Sequence, residues 1–159
     1  MEKIVYQDIV DKTKWGDGPW MSEPDKAQWQ DPETGLPCLI VRGPHGGLCG
    51  YVGVPPGHPA YGKHYFDIKD QIEVHGDLTY AAPCSHGEQS HSICHIPAEG
   101  EPDDVHWFGF DCAHAWDYSP SHDWRYPPYE KSTTYRDWAY VEDQVRQLAS
   151  QLKGMEVDK

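Results

Sequence analysis

The residues best suited to chemistry stand in one run, Phe108-Gly-Phe-Asp-Cys-Ala-His-Ala-Trp-Asp117. Asp111 is followed three residues later by His114, and His114 three residues later by Asp117. A chain that turns helically after a strand brings side chains at this spacing to one side, so both carboxylates can meet the imidazole. A carboxylate orients an imidazole or keeps it charged, and the imidazole titrates near neutral pH, which suits general acid–base work. The same donors suit a divalent cation. The competing reading is structural, with Asp111 capping a helix that begins at 112 and His114 bonded to a backbone carbonyl. His75 lies on the opposite face of an alternating stretch from Val74, Leu78 and Tyr80, and is expected to point into a pocket shared with Asp111. The expected catalytic set is therefore Asp111, His114, Asp117 and His75.

A second group, Cys84-Ser-His86 with His91-Ser-Ile-Cys94-His95, falls inside a loop spanning 81–104. A loop of that length in a compact domain is functional, disordered or pinned by something. Thiolates and imidazoles from Cys84, His86, His91, Cys94 and His95 can hold zinc or another divalent metal, although their spacing matches no standard finger. The plain alternative is buried thiols and exposed histidines. The loops 43–47 and 55–59 can offer backbone N–H groups to a ligand, but neither carries a Walker or dinucleotide fingerprint. No Gly-x-Ser-x-Gly elbow, His-Glu-x-x-His motif or glycosidase signature occurs.

These groups must be positioned by a framework that the pattern partly reveals. Pro37–Arg42 and Leu48–Val54 are apolar, β-branched runs on either side of Gly43-Pro-His-Gly-Gly47, which reads as a hairpin. Residues 74–80 and 105–112 read as further strands. The latter has His106, Phe108, Phe110 and Cys112 on one face and Val105, Trp107, Gly109 and Asp111 on the other. Residues 118–131 form an aromatic, proline-rich loop. Trp138, Val141, Val145, Leu148 and Leu152 then recur at spacings of three and four, so a helix over about 134–153 buries one stripe. Thr133 or Thr134 is its expected cap, Gly154 its stop, and Glu142–Arg146 an i,i+4 pair. Residues 1–36 are expected to wrap the domain through their tryptophans, with a short helix over 22–29. The fold class expected is α+β: one domain over 1–159, a mainly antiparallel, loop-rich sheet (37–131) with the C-terminal helix (132–153) across one face.

The charge balance excludes some functions. Thirteen Lys and Arg against 26 Asp and Glu give −13 over 159 residues, a field that repels phosphate backbones and disfavours general nucleic-acid binding. A local pocket can still take a small phosphate-bearing ligand. No apolar run approaches membrane-spanning length and the first residues lack a signal-peptide core, so a cytoplasmic location is expected. That compartment predicts five reduced cysteines, unpaired with one another.

Val74-His-Gly-Asp-Leu-Thr-Tyr80, Cys84, Ile93-Cys94-His95, Asp103-Asp104-Val105 and Trp107-Phe-Gly-Phe-Asp-Cys-Ala-His114 with Asp117 together resemble a small uncharacterised family of bacteriophage and actinobacterial genomes. The likeness continues through Tyr135-Arg-Asp-Trp-Ala-Tyr-Val141 and covers roughly residues 35–153. Asp77 and Trp116 stand where that family has glycine. The resemblance implies a phage-type accessory protein made in a bacterial host cytoplasm, and no catalytic assignment. Three functions remain in view: hydrolysis of a small nucleotide-like or other polar ligand, including in counter-defence; sequestration of such a ligand on aromatic rings; and docking of an acidic surface on a host protein.

Overall fold

The computed structural model describes residues 1–85, 87–88, 91–121 and 133–156. Six strands form one antiparallel sheet: β1 (Ile4–Tyr6), β2 (Lys26–Gln30), β3 (Pro37–Arg42), β4 (Leu48–Val54), β5 (Tyr80–Pro83) and β6 (His106–Asp111), in the order β1-β2-β3-β4-β6-β5. A single α-helix among the described residues, α1 (Trp138–Met155), follows them. The fold is α+β, as the sequence pattern implies.

Strand alternation sorts the core into two layers. Cys38, Ile40, Val52, Val54, Phe108 and Phe110 face the helix, where they meet the buried stripe Val141, Val145, Leu148 and Leu152. Leu39, Val41, Cys49, Tyr51 and Trp107 face the other way, under a loop that brings Ile93 and Cys94 against them. Gly50 lets the helix approach β4, because a Cβ there would come within 2.6 Å of Val145 and of Phe110. Leu148 is fully buried in this layer. Leu148→Ala should cost about 3 kcal/mol through lost transfer energy and a residual cavity. Urea melts giving less than about 1 kcal/mol would show that the stripe is loosely packed.

Several elements differ from expectation for physical reasons. Residues 22–29 form no helix; Lys26–Gln30 instead pairs along β3, with Lys26 opposite Val41 and Gln30 opposite Pro37. With β1 also paired to β2, the N-terminal segment extends the sheet rather than wrapping it. Trp20 is nevertheless an anchor, buried against Tyr118 and Tyr135 at ring-centroid distances of 5.6 and 5.0 Å. Residues 74–79 turn instead of extending, since Gly76 (φ 66°) and Asp77 (φ 65°) are both left-handed. The strand begins only at Tyr80, and Pro83 is accepted because β5 lies at the sheet edge. The helix starts at Trp138 because Asp137, not Thr133 or Thr134, caps it by accepting the Tyr140 N–H at 2.9 Å. It runs past Gly154 to Met155, and Arg146 pairs with Asp143 rather than Glu142. Most of the loop expected at 118–131 lies outside the described residues.

A buried ionic network fastens the N-terminal segment to the sheet and to the helix start. The fully buried Asp25 carboxylate accepts the Ile9 and Val10 N–H groups at 3.0 and 3.1 Å, Arg42 Nε at 2.8 Å, and lies 2.7 Å from Lys12 Nζ. Arg42 also donates to the Tyr135 hydroxyl, which in turn donates to Glu23. The other Glu23 oxygen accepts the Trp138 N–H at 2.8 Å. Among the described residues no helix is long and apolar enough to cross a membrane.

Candidate active site

β6 delivers Asp111 to the sheet end, and the chain turns tightly beyond it. The Asp117 N–H donates to the His114 carbonyl at 2.9 Å. The turn is then clamped by an isolated bridge of Asp117 with Thr134, in which Thr134 donates to the Trp116 carbonyl and Tyr118 to the Thr134 carbonyl. This clamp brings Arg136 and the first turn of α1 next to the run 111–117. Thr134 therefore serves the site rather than the helix cap.

Asp117 is the hub. Its side chain is fully buried and its two oxygens each lie 2.9 Å from His75 Nε2. Arg136 Nε donates to Oδ1 at 3.0 Å, while the His114 N–H donates to Oδ2 at 3.1 Å with His114 Nδ1 at 3.3 Å. Burial by itself raises this carboxyl, but hydrogen bonds from His75, Arg136 and the His114 backbone more than offset it and hold its pKa at about 2. Asp117 is thus an acceptor at neutral pH, which puts the shared proton on His75 Nε2. His75 Nδ1 lies 2.8 Å from the Tyr140 hydroxyl. Tyr140, His75 and Asp117 form a continuous hydrogen-bonded line.

His114 stands at the outer side of this line. Its side chain is 21% exposed, its ring is stacked on Trp116 at 4.9 Å and 9°, and Nε2 makes no hydrogen bond among the described residues. The ring packs against Gly76, where a Cβ would come within 2.2 Å of it. That close approach is why the positive-φ turn at 76 and the histidine belong to the same construction. Trp116 is 48% exposed, so the stack presents an aromatic face outward.

The structure brings together His75, His114 and Asp117 and holds Asp111 at their margin, so that His75 meets Asp117 rather than Asp111. Asp111 lies 3.7 Å from His114 Nδ1, accepts the Thr79 hydroxyl at 3.1 Å and caps its own turn through the Ala113 N–H. His75 meets the cluster from a turn and not from a strand face. The sequence reading assigned no role to Arg136, Tyr140 or Gln144, although Gln144 accepts the His75 N–H at 2.8 Å. Their signal was present: Arg136, Tyr140, Gln144, Gln147 and Gln151 recur at four- and three-residue spacing beside the apolar stripe. Glu73, His75, Tyr140, Gln144, Gln147 and Gln151 line a polar groove of about 460 Å³ along this stripe.

One ligand atom each from His75, His114 and Asp117 lie within 4.8 Å of one another, a set that fits a divalent cation. The Arg136 guanidinium on the same carboxylate opposes a cation there and suits proton transfer better.

Cys84 and Cys94 correct the expectation of five unpaired thiols, because they are joined by a disulfide. The β5 end and the loop after it carry the two residues to the same spot under Trp107, a convergence that a spacing of ten residues does not announce. A ring nitrogen of His95 lies within 4.8 Å of both sulfurs. His91 is exposed and pairs with Glu88, and His86 lies outside the described residues; among the described residues the donors that cluster are Cys84, Cys94 and His95. Cys38, Cys49 and Cys112 are free and buried. Burial pushes all three thiols up, Cys49 to about 12, which disqualifies them as nucleophiles at neutral pH.

Compared with protein-family models, with curated proteins and with solved structures, the chain matches none.

Proposed function

We propose that the protein hydrolyses a small polar ligand of nucleotide-like character at the His75–His114–Asp117 cluster. The observation that carries this reading is the convergence of two imidazoles on one buried, ionised carboxylate. Buried carboxylates demand compensation, and here it is supplied by groups able to move a proton. His114, partly exposed with an unengaged Nε2, exchanges the proton with water or leaving group. Asp117 orients His114 through its backbone N–H and Nδ1. The Tyr140–His75 pair holds the carboxylate from behind, and Arg136 keeps it ionised. Trp116 offers a face on which a planar ring stacks. The resemblance to phage and actinobacterial sequences suits a counter-defence setting in a bacterial cytoplasm, where such ligands are signals.

A second reading, sequestration without turnover, is favoured by one feature, the outward face of the His114–Trp116 stack. The two separate experimentally. Purified protein is incubated with a panel of mono-, di- and cyclic nucleotides, reading Trp fluorescence and products by chromatography. Hydrolysis predicts product formation that falls by about 10²–10⁴ in His114→Ala, the usual contribution of a general acid–base, with melting changed by less than about 1 kcal/mol. Binding without product establishes sequestration. If neither quenching nor product occurs with any member, and native protein carries no co-purified small molecule, both readings fail.

A further inference from the structure

We propose that Cys84, Cys94 and His95 form a redox-gated zinc site, closed as a disulfide when oxidised and able to hold Zn²⁺ when reduced. The site lies on the sheet face opposite the helix and is independent of the function proposed above.

Three observations converge on it. The two sulfurs and an imidazole nitrogen lie within 4.8 Å of one another, two soft donors and one borderline donor of the kind zinc selects. His95 Nδ1 is buried without a hydrogen-bond partner among the described residues, a state that a native structure rarely leaves unexplained. Trp107, fully buried, directs its indole N–H at Cys84 Sγ from 3.4 Å, a bond that strengthens when the sulfur is a thiolate.

The surroundings hold the donors in place. The Lys26 ammonium, buried within the sheet, donates to the carbonyls of Ser92 and Cys94 at 2.8 and 3.2 Å, and so ties the loop to β2 whichever state the sulfurs take. Gln28 ties the same loop from β2 through both the N–H and the carbonyl of Ile96.

The chemistry balances with a dithiol reductant. Two electrons and two protons pass to the Cys84–Cys94 bond, which breaks to two thiols while the reductant becomes a disulfide. Zn²⁺ then displaces both thiol protons into solvent, forms two Zn–S bonds and takes the neutral imidazole as third ligand. Water completes the tetrahedron. Reoxidation by a disulfide oxidant reforms the S–S bond and expels the cation.

The whole 159-residue chain provides the test. Alkylation after denaturation should label three cysteines before reduction and five after it, since Cys38, Cys49 and Cys112 are free. Protein reduced by a dithiol, desalted without oxygen and titrated with Co²⁺ should take up one ion per chain and develop a sulfur-to-cobalt charge-transfer band. Oxidation should abolish the band, and Cys84→Ser should lack it. His95→Ala, which leaves the disulfide and core in place, should weaken Co²⁺ binding by roughly tenfold or more. Five labels without reduction would overturn the gate. Reduced protein without Co²⁺ uptake, equal uptake by oxidised protein, or undiminished affinity in His95→Ala would overturn the site.

Discussion

Asp25→Ala should lower the unfolding free energy by about 3–5 kcal/mol, the range for removing one partner of a buried ion pair. The reason is the company Asp25 keeps. Its carboxylate, wholly buried, is the shared acceptor for Arg42, Lys12 and two backbone N–H groups. Truncation leaves two cations and two donors without their common partner in a place that water does not reach. Burial raises the Asp25 carboxyl, but the hydrogen bonds from Lys12 and Arg42 outweigh it and leave its pKa lowered. A lowered carboxyl stabilises the fold above its unfolded pKa and loses that contribution as pH falls through the folded value. The deficit of Asp25→Ala, measured by urea melts, should therefore be full at neutral pH and shrink in acid. A deficit below about 1 kcal/mol at neutral pH, the level of an exposed pair, would show that the network is solvent-screened.

Asp117→Asn should combine a stability loss with loss of function, which separates it from Asp25→Ala. The drop of the Asp117 carboxyl from its ordinary 3.8 to about 2 corresponds to roughly 2–3 kcal/mol favouring the folded state at neutral pH. That contribution is present above the unfolded pKa of about 4 and disappears as pH falls through about 2. Wild type and variant should therefore differ at pH 7 and converge near the acid limit. Turnover or ligand binding should fall far more than the folded fraction, because the asparagine removes the carboxylate that His75 and His114 share. Activity tracking the folded fraction alone would reduce Asp117 to a structural hub, and equal stability difference at all pH values would refute its ionisation.

The charge patterns behind these two predictions were unequally legible. The Asp111–His114–Asp117 spacing is local, and local geometry suffices: once β6 ends, a tight turn brings residues three apart together. Asp25 carried no sequence signal, because its partners Lys12 and Arg42 lie 13 and 17 positions away and meet it only through sheet pairing.

The hydrophobic pattern alone determined the hairpin Pro37–Arg42 with Leu48–Val54, the strand through His106–Asp111 and the apolar stripe of the C-terminal helix. The strand segments are apolar runs long enough to stand out between turn signals, and the helical stripe repeats with a period of about 3.6. Tertiary structure decided the rest. Lys26–Gln30 is a strand because β3 offers it an open edge, which outweighs the helix expected over 22–29. Residues 74–79 are a turn because Gly76 must leave room for the His114 ring, 38 positions away. The Cys84–Cys94 bond, and the joining of His75, Tyr140 and Arg136 to Asp117, also depend on elements that touch only once the sheet and helix have packed. A periodic pattern records which face of an element is buried; it carries no record of which distant residue lies opposite, and that choice belongs to the packed chain.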